Sequence, residues 1–123
     1  PPVHDFLLES NEGNDLTTKV LESPKVLLVV MNTITKSRKT GFKNVKIITD
    51  KALKEGYLVY ALSSSLNETF VRYKQKYDFN FEMLFCDETT LKTIIRANPG
   101  IVILNKGTVK GKWNARDIDK IKL

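Results

Sequence analysis

The chain has 123 residues, 41% of them hydrophobic and 28% charged, and a net charge of +6 at pH 7. That is the length of one domain with an ordinary globular composition, large enough to bury a core without disulfide staples. One cysteine excludes an internal disulfide, the apolar runs are far too short to span a bilayer, and the scattered lysines lack any aromatic-and-basic motif, so no nucleic-acid partner is expected.

The chain opens Pro1-Pro2 without an initiator methionine and reads as a segment of a longer protein. Residues 1–9 form a short extended segment, and Asn11-Glu12-Gly13-Asn14 a turn, since Asn and Gly tolerate left-handed backbone. Asp15 or Thr17 caps a short helix that ends before Pro24. Residues 25–31 are a valine-rich apolar run, the pattern of a strand buried on both faces. Residues 32–41 are polar and basic. From 39 to 56 the apolar positions Phe42, Val45, Ile48 and Ala52 recur at three and four, one face of a helix, with Gly56 past its end. Residues 57–62 form a second strand, closed by Ser63, Ser64 and Ser65. Ser64 or Ser65 caps a helix over 66–77 that carries Phe70, Tyr73 and Tyr77 on one stripe. Phe79, Phe81, Met83 and Phe85 alternate as a half-buried strand. Asp87 caps a helix to about 97 with Leu91, Ile94 and Ile95 inward. Pro99 then opens a short apolar strand, a Lys-Gly turn closes it, and residues 108–113 run back before a terminal helix over 115–123. Alternating strands and helices predict an α/β fold of three layers: a central mixed sheet of parallel core strands plus a C-terminal antiparallel hairpin, flanked by helices.

This order, with Pro99 before the penultimate strand, resembles the thioredoxin-like superfamily, whose proline at that turn is cis. The opening Pro2-Val3-His4-Asp5-Phe6-Leu7-Leu8 is similar to the start of its peroxiredoxin and cytochrome-maturation branch. More narrowly, residues 56–65, 87–96 and 98–113 resemble the C-terminal domain of bacterial DoxX-type membrane proteins. That resemblance implies a membrane-tethered parent with the domain on the periplasmic side. In the superfamily a Cys-x-x-Cys pair follows the first core strand at the start of the next helix. Here Lys36-Ser37-Arg38-Lys39 stand at that point, give or take two residues, and hold no cysteine. Thiol–disulfide exchange needs a thiolate as attacker, and the fold lowers a thiol's pKa at that helix start. A serine there has no redox couple, so the departure removes the chemistry the resemblance implies.

The candidate binding face is therefore a degenerate active site: Thr35, Lys36, Ser37, Arg38 and Lys39, the serines Ser63, Ser64 and Ser65, and the turn at Asn98 and Pro99. Its cations suit an acidic protein or peptide partner, against the plainer reading of a solvated basic loop. Cys86, at a strand-to-helix junction, is either a small buried hydrophobe or a lone redox thiol working with a cysteine of another chain. His4 beside Asp5 reads as an exposed terminal histidine rather than a general base, and Trp113 as packing under the last helix. No catalytic residue, cofactor or metal site is expected: the lone histidine and scattered acids have no zinc spacing, and neither a nucleophile elbow nor a phosphate-cradling glycine loop occurs.

Overall fold

Five consecutive apolar residues, Val26–Val30, build the central strand β1, and every one is buried. In a computed structural model, which describes residues 7–123, the two faces of this strand supply two separate cores. Leu27, Val29 and Met31 pack with Phe42, Val45, Ile48 and Phe70 on one side of the sheet. Val26, Leu28 and Val30 pack with Val20, Leu91 and Leu104 on the other. A strand covered on both faces has no position for a polar residue, which is why its sequence does not alternate. The opening residues, His4 among them, lie outside the described residues.

Three α-helices and four strands follow β1. Helix α1 spans Thr17–Glu22 before β1, and α2 spans Thr40–Lys54 after it. Strand β2 (Leu58–Ser63), helix α3 (Asn67–Tyr77), strand β3 (Glu82–Phe85), helix α4 (Glu88–Ile94), and strands β4 (Gly100–Asn105) and β5 (Thr108–Asn114) complete the order. The sheet runs β3-β2-β1-β4-β5. β1, β2 and β3 are parallel, β4 is antiparallel to β1, and β5 is antiparallel to β4. This is the mixed three-layer α/β sheet expected of the sequence. The Asn98–Pro99 peptide is cis. No helix among the described residues is long and apolar enough to cross a membrane.

α2 buries the expected stripe of Phe42, Val45, Ile48 and Ala52. Beyond it Gly56 takes φ 83, a left-handed conformation that glycine adopts without strain. Phe42 sits 4.8 Å from Tyr77 and 5.3 Å from Tyr73, centroid to centroid, so the aromatic stripe of α3 closes over α2.

Four local expectations are corrected. No serine caps α3: its N-cap is Leu66, with no side-chain bond, because Ser63, Ser64 and Ser65 bond elsewhere. β3 begins only at Glu82, and Phe85 at its end is 46% exposed while Leu84 is buried. α4 stops at Ile94, three residues before the expected end. Finally, residues Ala115–Lys120 form 3-10 turns kinked at Asp117 instead of an α-helix. A segment this short gains little from helix propagation, so packing decides, and it still brings Ile118 and Ile121 onto the core.

The cap at Asp87 is present. Its carboxylate accepts the Thr90 backbone N–H at 3.2 Å. Asp87→Ala is expected to lower stability by about 1 kcal/mol, read from the urea midpoint, while Asp87→Asn should cost less because it keeps an acceptor.

Candidate functional site

The chain leaves β1 at its carboxyl end and must return to the surface before α2 begins. Residues 31–39 make that passage, with a single 3-10 turn at Ile34–Lys36. Each step is tied to a different neighbour. The Asn32 carbonyl accepts both the backbone N–H (3.1 Å) and the hydroxyl (2.6 Å) of Ser64. The Ile34 N–H donates to Ser65 Oγ at 3.0 Å. The Thr33 hydroxyl donates to Glu88 Oε2 at 2.7 Å, at the start of α4. The Ser37 hydroxyl donates to Asn98 Oδ1 at 2.6 Å, Asn98 Nδ2 donates to the Thr33 carbonyl at 3.3 Å, and the Arg38 N–H donates to the Asn98 carbonyl at 3.0 Å. Asn98 thus clasps both ends of the 3-10 turn. The buried Asn32 Oδ1 has no partner among the described residues.

The loop, the β2–α3 connection and the turn before β4 therefore meet at the carboxyl ends of the parallel strands, where open α/β sheets form their crevice. Of the sequence candidates, Thr35, Lys36, Arg38 and Lys39 are exposed. Ser63, Ser37 and Pro99 are buried and support the face from beneath; Ser63 Oγ accepts the Ser65 N–H at 3.0 Å. Pro99 lies against the first turn of α2, where a Cβ added to Gly41 would meet Pro99 Cδ at 3.0 Å. Thr33 and Glu88 join the network without any local signal in the sequence, because 55 residues separate them.

The electrostatics are one-sided. The N-cap of α2 is Lys39, no acid lies in its first turn, and no side chain caps it. A helix start favours anions, so Lys36, Arg38 and Lys39 beside it reinforce a positive patch. Glu88 lies within electrostatic reach of Lys36. The Thr33 hydroxyl, then the charge of Lys92, hold its carboxyl below the ordinary glutamate value.

Cys86 is not part of this loop. It is 1% exposed, in the core with Leu62, Leu84 and Leu91, and its backbone N–H donates to the Ser63 carbonyl. Burial first, and the Asp87 charge second, push its thiol up to about 11. Among the described residues no group of three or more acids, histidines or cysteines is placed to hold a metal. Trp113 packs half-buried against the same core cluster as Ile118.

No protein-family model and no curated protein sequence matches the chain. Solved structures do. A thioredoxin-like protein from Aeropyrum pernix is 16% identical over 93% of this chain and 85% of its own, with a TM-score of 0.68. The fold is thioredoxin-like. A thiol-disulfide oxidoreductase from Bacteroides fragilis matches at a TM-score of 0.68 and 15% identity, over 91% of this chain and 89% of its own. StoA from Bacillus subtilis matches at 0.59 and 16% identity over 98% of both chains. Thiol-disulfide oxidoreductases thus recur among the structures that share this thioredoxin-like architecture.

Proposed function

We propose that this thioredoxin-like domain is a redox-inactive binding module that meets a protein or peptide partner at the face around Thr35, Lys36, Arg38 and Lys39. One observation carries the reading: the loop where the redox pair of the fold would stand has no thiol, and hydrogen bonds made by Ser37, Asn98 and Thr33 and one accepted by Ser65 hold it in place. A preorganised loop loses little conformational freedom on binding. The positive patch favours an acidic partner, and charges this exposed act more on the rate of encounter than on final affinity. The resemblance to DoxX-type proteins supports a membrane-tethered parent. Apolar helices encoded upstream of Pro1 would support that tether, and a polar upstream sequence would remove it.

The second reading is a lone-thiol redox protein that pairs Cys86 with a cysteine of another chain. The oxidoreductases among the structural neighbours favour it. The burial of Cys86 and its raised thiol weigh against it, because the thiolate is the reactive form.

Insulin turbidity with dithiothreitol and peroxide consumption separate the two. The domain should show no rate above that of Cys86→Ser in either assay; a rate that Cys86→Ser abolishes would establish the second reading. For the binding face, a photo-crosslinking residue at Thr35 should capture a partner in the source cell, and the pair Lys36→Glu and Lys39→Glu should weaken that capture with the urea midpoint unchanged. Capture from Lys110 on β5 instead of Thr35 would move the site to the other edge of the sheet.

A further inference from the structure

The outer edge of β3 is covered only at one end. The Phe85 N–H donates to the Glu9 carbonyl at 2.7 Å, and the Glu9 N–H returns a bond to the Phe85 carbonyl at 3.1 Å. Cys86, one residue on, donates inward to Ser63. Backbone groups alternate along a strand, so Met83, like Phe85, directs its N–H and C=O outward. Past Glu9 the chain turns away, with the Ser10 N–H on the Asn14 carbonyl and the Gly13 N–H on the Ser10 carbonyl. Met83 is left with no backbone partner on that side among the described residues.

Two cavities of about 320 and 290 Å³ open beside Met83 and share Ser10, Asn11 and Asn67 as walls. Glu9, Glu12 and Glu82 line them, and no lysine or arginine does. Glu68 lines the adjoining hollow. Lys74 pairs with Glu82 from the α3 side, so the acidity rests mostly on the other three. On a chain of net charge +6 this groove carries the opposite sign. Its apolar parts are Leu66 and Phe85, 67% and 46% exposed. Edge strands are commonly blunted by lysine or proline; Glu82-Met83-Leu84-Phe85 has neither.

We propose that this groove is a docking site, separate from the basic loop, for a short extended peptide with alternating basic and apolar side chains. The peptide adds as a strand to β3. Its backbone pairs with Met83, its apolar side chains cover Leu66 and Phe85, and its cations face Glu9, Glu12 and Glu68. Main-chain bonds supply affinity in strand addition and alternate side chains supply specificity.

The probe is a fluorescein-labelled Lys-Val-Lys-Val-Lys-Val peptide, titrated with the full chain and read by anisotropy and by amide shifts. Saturable binding is expected, with the Met83 and Phe85 amides shifted and those of residues 35–39 unmoved, and a Glu-Val-Glu-Val-Glu-Val peptide should not bind. Glu12→Lys with Glu68→Lys should weaken binding about tenfold or more. Leu66→Ser should weaken it with no change of charge. Both glutamates are exposed, so the variants keep the fold, and circular dichroism checks it. Absence of saturable binding, shifts confined to other residues, or full affinity in the double variant would each overturn the proposal. So would concentration-dependent self-association of the chain alone that Glu12→Lys and Lys110→Glu both abolish, which would assign the edge to the β5 strand of a second copy.

Discussion

Native Cys86 is expected to react with iodoacetamide at least about a hundredfold more slowly than the same thiol in the urea-unfolded chain. The factor follows from the shift of its pKa from 9.0 to about 11, since below both values the thiolate fraction falls tenfold per unit. Burial to 1% exposure slows it further. The shift also makes stability depend on pH. The folded state binds this proton more tightly, so the contribution is full below pH 9 and is lost as pH rises from 9 toward 11. Over that window the wild type should lose about 2–3 kcal/mol that Cys86→Ala does not lose. The measurement is the urea midpoint of both proteins against pH. Parallel curves, or native alkylation within severalfold of the unfolded rate, would show an accessible thiol and reopen the redox reading.

Phe42→Ala is expected to destabilise the domain by about 3–5 kcal/mol, a large share of the 5–15 kcal/mol that holds a typical domain together. Phe42 is fully buried and touches three rings, with Tyr77, Tyr73 and Phe79 at 4.8, 5.3 and 6.4 Å. Those rings come from α3 and the segment after it, so the cavity would sit between two helices and the sheet and could not collapse by moving one side chain. Ile47, on the same helix but 59% exposed, is the control, and its change to alanine should stay within about 0.5 kcal/mol. Chemical unfolding of both variants decides it. A cost below about 1.5 kcal/mol for Phe42 would mean that the aromatic cluster repacks freely.

Elements whose cause is local could be read from the residues. The run Val26–Val30 gave away β1 because burial on both faces leaves no polar position. The spacing of Phe42, Val45, Ile48 and Ala52 located α2, and Gly56 its end, because helix periodicity and left-handed backbone are properties of a few adjacent residues. Features with distant causes leave no local sign in the residues. The serines before α3 look like caps, yet their oxygens serve the loop 31 residues upstream. Phe85 has the right parity for burial, but it ends an edge strand where the core has run out. Residues 115–120 have the apolar spacing of an α-helix but pack as 3-10 turns. The site divides the same way. Ser37 and Asn98 follow from their positions in the fold order, whereas Thr33 and Glu88 meet only through tertiary structure.

Trp113 gives the molecule a built-in optical marker. It is the one tryptophan, against four tyrosines, and its ring lies over Gly111, where an added Cβ would fall 2.2 Å from the indole edge. It stands on β5, four strands away from β3, and packs against the same core cluster as Ile118 of the last 3-10 turns. Its emission therefore records whether the carboxyl-terminal segment is seated, and is indifferent to events at the opposite border of the sheet. Fluorescence that changed before far-ultraviolet circular dichroism during denaturation would reveal that this segment peels off ahead of the rest, as a separate cooperative unit. Coincident curves would show one all-or-none transition.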